Sequence, residues 1–191
     1  MIGQLVASFP PGHGGLSPHK ITEILAVLDD EKFSQGRIGP GQGRQLDSAI
    51  RSGAVQWITR SDIGEGIFSH LFNLASEANR ARGWNFEIEG LTPALQATRY
   101  LADGAQHYDW HMDLGAGQTR RRKISVVAHL SDEQSFDGGS LQLTNGSVPV
   151  DAMQTAGTVT VFPSFVMHRV TPVTRGRRFA VVAWALGPPF R

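Results

Sequence analysis

A histidine and an aspartate two residues apart are the side chains in this sequence best suited to bind a metal. His111 and Asp113 lie in a short apolar-flanked run, 107–113, that is typical of a β-strand. Residues i and i+2 of a strand point to the same face, so the imidazole and the carboxylate would project together. Two such ligands cannot hold a metal ion firmly. A third ligand must therefore come from elsewhere in the chain.

Composition narrows both the possible ligands and the possible functions. The 191 residues include no cysteine, so thiolate metal sites, disulfides and a cysteine nucleophile are excluded, and any metal would be bound by histidine and carboxylate. A formal net charge of +1 gives no whole-molecule reason to bind nucleic acid or an anionic membrane. The sequence has neither a signal-peptide pattern nor a membrane-length apolar run. We expect a soluble cytoplasmic protein with no nucleic-acid or membrane partner.

The first half of the chain predicts two helices. The first is expected from about Pro18 to Asp29, with Ser17 as its N-cap. The second is expected to begin near Asp62, with Glu65 placed for a capping box, and to present one apolar stripe.

After residue 93 the sequence changes to short β-type runs separated by turn residues. The predicted strands lie at 95–101, 107–113, 123–130, 139–144, 157–162, 168–173 and 178–186. Such strands with no helices between them predict a double-stranded β-helix, or jelly roll, with the N-terminal helices packed on one sheet. The fold class is therefore α+β but mainly β. We expect a single domain, 1–191, in which about 1–92 give helical support and a lid and about 93–191 form the jelly roll that carries the site.

His168 is the histidine best placed to complete the metal site. It begins a late strand, and a jelly roll can bring the start of such a strand beside the strand of His111 and Asp113. Two imidazoles and one carboxylate form the facial triad that binds non-heme Fe(II) and leaves coordination positions open. On spacing alone, unrelated histidines in the core or at the surface remain the alternative.

Three ordered segments resemble a known family. Residues 99–115, 121–143 and 157–186 resemble the prolyl-4-hydroxylase-like Fe(II)/2-oxoglutarate-dependent dioxygenases, and among them the bacterial PKHD-type hydroxylases. Five features agree in order: the His-x-Asp pair, the Gly-Gly-Ser-Leu turn, the Phe-Pro-Ser before His168, the His-Arg-Val-Thr-Pro run, and a following basic residue. The resemblance covers about the last hundred residues well, and the first helix and 33–39 more weakly.

The resemblance implies a role for each matching position. His111, Asp113 and His168 would be the iron ligands, and Arg178 would bind the distal carboxylate of 2-oxoglutarate. A guanidinium suits that task because it can grip a carboxylate through two parallel hydrogen bonds. Arg177 competes on spacing, but strand alternation places Arg178 on the face shared by Ala180, Val182 and Trp184 and turns Arg177 away.

Four aromatic or polar residues complete the site that the resemblance implies. Tyr100 matches a tyrosine whose hydroxyl reaches the cosubstrate, and His129 matches a polar position near the same carboxylate. Tyr108 and Trp184 would line the substrate side. For each of the four, packing in the core is the alternative.

The implied activity is hydroxylation. Using Fe(II) and O2, with ascorbate as a reductant, such an enzyme inserts one O2-derived oxygen into a C–H bond and converts 2-oxoglutarate to succinate and CO2. Its substrate would be a peptidyl proline or a small amino-acid-like molecule or natural product. The alternatives are a non-catalytic jelly-roll protein that binds a metal or a sugar, and a cupin-like metalloenzyme independent of 2-oxoglutarate.

The sequence also predicts a role for a glycine-rich segment and for a basic run. The glycine content of Ser34–Gly53 and its lack of a hydrophobic period predict a mobile lid that orders over the substrate. The basic run 119–123 is interpreted as a solvated entry to the following strand.

Overall fold

The computed structural model describes residues 2–37, 47–146 and 148–190, which form two antiparallel sheets and three helices. The helices are α1 Pro18–Ala26, α2 Arg60–Ile63 and α3 Glu65–Ala81. The strands are β1 Ala7–Phe9, β2 Ser34–Gln35, β3 Ala54–Thr59, β4 Gly90–Leu91, β5 Ala94–Leu101, β6 Tyr108–His111, β7 Arg122–His129, β8 Phe136–Gly138, β9 Leu141–Thr144, β10 Val150–Asp151, β11 Val159–Pro163, β12 Met167–Val170 and β13 Val173–Leu186. No helix in these ranges is long and apolar enough to cross a membrane.

The two sheets form the predicted jelly roll. The large sheet has the strand order β1-β11-β7-β13-β5-β3-β2, with β4 and β8 also paired to β13, and the small sheet has the order β10-β9-β12-β6. Side chains from both sheets share one apolar cluster, in which Val127 and Phe162 of the large sheet join Leu141 and Leu143 of the small one. The double-stranded β-helix prediction is confirmed. A pocket lined by residues of both sheets lies in its interior, between the sheets.

The helices cover the outer face of the large sheet, as predicted. On β7 the alternate residues Ile124, Val126 and Ala128 point outward and join a cluster with Ile24 of α1 and Leu71 of α3. Burying a side chain of leucine size contributes roughly 1.5–3 kcal/mol to the free energy of unfolding. Because the outward residues are buried under helices, the inward residues between them are left to form the site.

The second helix differs from its prediction at its start. Gly64, with φ +71°, separates α2 from α3, and the capping box is formed one turn earlier, by Thr59 and Asp62. The carboxylate of Asp62 accepts from the backbone N–H of Thr59 at 2.6 Å. Glu65 is the first residue of α3 and does not form the capping box, so that part of the prediction is wrong.

Strands before residue 93 were missed by the sequence pattern. β1 pairs with β11, and β3 pairs with β5 over six residues, so both belong to the large sheet. β3 was not predicted because Gln56 is a polar residue at a buried position. Its amide donates to the carbonyl of Val27 at 2.9 Å and accepts from the N–H of Asp29 at 3.0 Å. The start of the expected lid forms β2, which pairs with β3. Residues 38–46 lie outside the described residues, and the lid stays a prediction.

Candidate active site

His111 and His168 face each other across two strands of the small sheet. β6 and β12 pair antiparallel with these two residues directly opposite in register. Directly opposite residues of an antiparallel pair hold their side chains close together. The ring centroids of His111 and His168 are accordingly 4.1 Å apart.

Asp113 reaches the same place from just beyond the end of β6. The strand ends at His111, so the expectation that His111 and Asp113 share one strand is wrong. The backbone N–H groups of Asp113 and Leu114 instead donate to the carbonyl of Ser164, at 3.0 and 2.9 Å. This turn brings the Asp113 carboxylate to 3.9 Å from Nε2 of His111 and 3.5 Å from Nε2 of His168. One ligand atom from each residue lies within 4.8 Å of the other two.

Hydrogen bonds on the far side of both rings prepare them to bind a metal. Nδ1 of His111 lies 2.8 Å from the carbonyl of Asp109, and Nδ1 of His168 lies 2.9 Å from the carbonyl of Val166. A carbonyl can only accept, so each Nδ1 carries the proton and each Nε2 presents a lone pair to the cluster. Burial, and then the nearby His168, lower the pKa of His111 to about 3, which keeps its ring neutral.

The Asp113 carboxylate is held ionised inside the protein. The hydroxyl of Ser125, an inward residue of β7, donates to Asp113 Oδ2 at 2.7 Å. Burial alone would raise the pKa of Asp113, but His168, His111, Arg122 and this hydrogen bond together lower it to about 2. Two imidazoles and one carboxylate are the donor set that suits Fe(II).

Arg178 lies in the interior on β13 and Arg177 lies outside. Arg178 is 1% exposed, whereas Arg177 is exposed and approaches Asp30 at 3.9 Å. This is the facing that strand alternation predicted. Arg178 donates from Nη2 to Nδ1 of His129 at 3.3 Å, and its Cζ lies 5.7 Å from the ring centroid of Tyr100, the residue opposite it on β5.

Two buried donors, one on Arg178 and one on its partner His129, have no partner within the described part of the chain. They are Nε of Arg178 and Nε2 of His129. Since Nδ1 of His129 accepts from Arg178, its Nε2 carries the proton, and burial with the nearby Arg178 lowers the pKa of His129 to about 3, so the ring is neutral. Unsatisfied buried donors are costly. A ligand with a carboxylate would satisfy them, and the residues present therefore fit 2-oxoglutarate.

Gly139 gives Arg178 the space it occupies. It follows β8 with φ +60°, and a Cβ added there would lie 2.8 Å from Cδ of Arg178. Alanine at 139 should displace the guanidinium, and we expect the affinity for 2-oxoglutarate to fall several-fold while Fe(II) binding is unchanged. Titration of Gly139→Ala with 2-oxoglutarate measures this effect.

Gly146→Ala is the matched control for Gly139→Ala. Gly146 also has a left-handed backbone, with φ +95°, but a Cβ there would meet nothing within 4 Å. The control should bind 2-oxoglutarate as the wild type does. Equal loss of affinity in the two variants would contradict a specific contact between residue 139 and Arg178.

The walls near the metal cluster are aromatic and cationic. The ring of Tyr108 stacks on His111 with centroids 3.5 Å apart. Trp184 is buried beside Arg122, whose Cζ lies 3.6 Å from the indole centroid, and Arg122 also approaches Asp113 Oδ1 at 3.8 Å. Arg122 is therefore part of the site, and the interpretation of the basic run as merely solvated is wrong for this residue.

Arg51 and Gln96 are site residues that the sequence pattern did not indicate. Both line the cavity with Tyr108, Asp113 and Trp184. Arg51 lies in the irregular segment before β3, and Gln96 is one of several polar residues of β5. No periodicity or motif marks either position, so the sequence offered no signal for them.

Two histidines and one carboxylate inside a jelly roll define a mononuclear non-heme metal site. Comparison with known proteins agrees. Residues 95–186 match the family model described as the 2OG-Fe(II) oxygenase superfamily. PKHD-type hydroxylases from Teredinibacter turnerae and Hyphomonas neptunium are 42% and 38% identical, over 88% and 86% of this chain and 74% and 71% of those proteins.

Solved structures show the same fold at lower sequence identity. A prolyl hydroxylase from Trichoplax adhaerens, in complex with a hypoxia inducible factor peptide fragment, superimposes with a TM-score of 0.74 at 21% identity, covering 96% of this chain and 84% of that one. A prolyl-4-hydroxylase from Pseudomonas putida superimposes with a TM-score of 0.69 at 21% identity, covering 98% of this chain and 95% of that one. The chain therefore belongs to the 2OG-Fe(II) oxygenase superfamily and is a 2-oxoglutarate-dependent dioxygenase of PKHD type, which uses Fe(II), 2-oxoglutarate and O2.

Proposed function

We propose that the protein hydroxylates a C–H bond of a small amino-acid-like molecule or of a peptide. One oxygen atom of O2 would enter the substrate, and 2-oxoglutarate would be converted to succinate and CO2. The observation that carries the proposal is the convergence of His111, Asp113 and His168 on a cavity that also contains the buried guanidinium of Arg178. A metal bound to the cluster and a dicarboxylate that reaches Arg178 fit that arrangement.

His111, Asp113 and His168 would hold Fe(II) through two imidazole nitrogens and one carboxylate oxygen. Bound there, Fe(II) would supply the activation of O2 that is coupled to the decarboxylation of 2-oxoglutarate. The protein's own contribution is to fix the tautomer and orientation of the two rings and to keep the carboxylate ionised. The backbone carbonyls behind each Nδ1 and the hydroxyl of Ser125 serve this purpose.

Arg178 would bind the distal carboxylate of 2-oxoglutarate. Its guanidinium is a planar fork that can donate two parallel hydrogen bonds to a carboxylate. The unpartnered Nε2–H of His129, whose ring contacts Arg178, would donate to the same ligand. Burial raises the pKa of Tyr100, so its phenol stays protonated and can donate as well.

The substrate would bind in the groove outside the metal cluster. The groove has a volume of about 400 Å³ and contains the indole of Trp184. Tyr108 and Trp184 would form its inner wall, and Trp57, which is 44% exposed and 6.4 Å from Trp184, its outer edge. These aromatic faces would keep water away from the carbon to be oxidised.

Anaerobic titration with Fe(II) and then 2-oxoglutarate tests the proposal. We expect the visible charge-transfer band of the iron chelate to appear with both components and with neither alone. Admission of O2 with substrate should then yield one succinate per hydroxylated product, measured by mass spectrometry. A wild-type protein that gives no band would refute the proposed function.

A further inference from the structure

Arg51 is a buried arginine beside the metal cluster for which the proposed function provides no ligand. Its backbone bridges that of Tyr108, and it is only 6% exposed. Its Nη2 donates to Gln96 Oε1 at 2.9 Å, its Nη1 lies 3.5 Å from the carbonyl of Arg37, and its Nε has no partner within the described residues. Cζ of Arg51 lies 4.5 Å from the ring centroid of Tyr108, which stacks in turn on His111. A fixed cation is therefore held one aromatic ring away from a metal ligand.

The Arg51 guanidinium has no carboxylate partner in the ranges that the structure describes. The carboxylates that pair with arginine elsewhere in the chain are those of Asp30, Glu65, Glu89, Asp113 and Asp137. The segment 38–46 contains no Asp or Glu and adds one more arginine. Buried charges in proteins are normally paired, because leaving one without a counter-ion is costly. The missing counter-ion is therefore best supplied by a ligand.

The groove beside Arg51 has an excess of positive charge. Arg37 and Arg122 line it together with Arg51, and Asp113 is the sole carboxylate among its described lining residues. Because Asp113 belongs to the metal cluster, its charge is not available to a substrate. A groove of this kind attracts an anion and disfavours a cation.

We propose, on the basis of the proposed function, that the substrate is a small carboxylic acid and that Arg51 binds its carboxylate. The position of Arg51, separated from His111 by the Tyr108 ring, places that carboxylate a few bonds from the carbon presented to the metal. An N-acylated or free amino acid meets this requirement. An internal residue of a polypeptide would place a neutral backbone amide against Arg51 and leave the buried cation unpaired.

Matched acids and amides test the proposal directly. The probes are the N-acetyl derivatives of proline, leucine and phenylalanine, each as the free acid and as the primary amide. Their binding to the protein loaded with Fe(II) and 2-oxoglutarate, without O2, is measured by calorimetry. We expect at least one acid to bind the wild type tenfold or more tightly than its amide. Arg51→Gln should bring this ratio close to one, and Arg51→Lys should give an intermediate ratio.

Arg80→Gln is the matched control, because Arg80 is an exposed residue of α3 on the opposite side of the large sheet. It should keep the wild-type ratio. If Arg51→Gln does not fold, the proposal is tested by the ratio of acid affinity to amide affinity in the wild type and by the reduction of that ratio in Arg51→Lys.

The possible failures can be told apart. A wild type that binds Fe(II) and 2-oxoglutarate but binds acids no more tightly than amides, or binds neither, overturns the carboxylate inference and leaves the proposed function standing. An Arg51→Gln protein whose affinity for 2-oxoglutarate falls more than its affinity for the acid also overturns it, because Arg51 would then serve the cosubstrate. A wild type that does not bind 2-oxoglutarate refutes the proposed function itself, and with it the inference that rests upon it.

Discussion

Replacement of His168 by alanine should abolish turnover and weaken Fe(II) binding by more than about 100-fold. Loss of a residue that only orients a ligand already costs about 10–100-fold in metal affinity, and His168 would be a ligand itself. The variant leaves His111 and Asp113, and two ligands cannot define one face of the coordination sphere. His168 also lowers the pKa of Asp113, so its removal makes the carboxylate easier to protonate as well.

Iron retained after gel filtration and succinate formed on exposure to O2 are the two measurements for His168→Ala. His19→Ala is the control, because His19 is an exposed histidine of α1 whose ring lies 3.7 Å from the carboxylate of Glu23. The control should retain one iron per chain and full activity. A His168→Ala protein that also retains one iron per chain would remove His168 from the ligand set.

The jelly-roll strands could be predicted from the sequence because most of them are short runs rich in β-branched and other apolar residues, bounded by turn residues. Each of the runs predicted after residue 93 contains a strand, and turn glycines between them have the left-handed backbone that a turn requires, as Gly157 does with φ +88°. β1 and β3 could not be recognised, since β1 has only three residues and β3 buries polar Gln56 while it exposes Trp57. Their pairing depends on the whole sheet rather than on local pattern.

The candidate site could be predicted where side chains belong to a strand or to a motif. Alternation along β13 was sufficient to predict that Arg178 points inward, because side-chain direction in a strand depends only on local geometry. The register that places His111 opposite His168 arises from the pairing of β6 with β12, which no local signal fixes. Arg51 belongs to irregular backbone, where direction depends on tertiary contacts alone. That is why the sequence did not indicate it.

Arg178→Ala should reduce the affinity for 2-oxoglutarate by tens- to thousands-fold while Fe(II) binding stays close to that of the wild type. Losing a charge-assisted partner to a buried carboxylate costs about 2–5 kcal/mol. Iron should be spared because the described contacts of the Arg178 guanidinium are with His129 and Tyr100 rather than with the metal cluster. Titration of 2-oxoglutarate against the iron-loaded protein without O2 gives the affinity, and equilibrium dialysis gives the iron content.

Two further arginine variants separate charge, geometry and register. Arg178→Lys keeps the charge but loses the planar fork, so its affinity for 2-oxoglutarate should fall between those of the wild type and Arg178→Ala. Arg177→Ala should behave as the wild type, because Arg177 is exposed on the other face of β13. If Arg177→Ala carried the large loss and Arg178→Ala none, the register of β13 would be displaced by one residue. Since a one-residue slip turns every side chain of a strand to the opposite face, Ala180, Val182 and Trp184 would then leave the site together with Arg178.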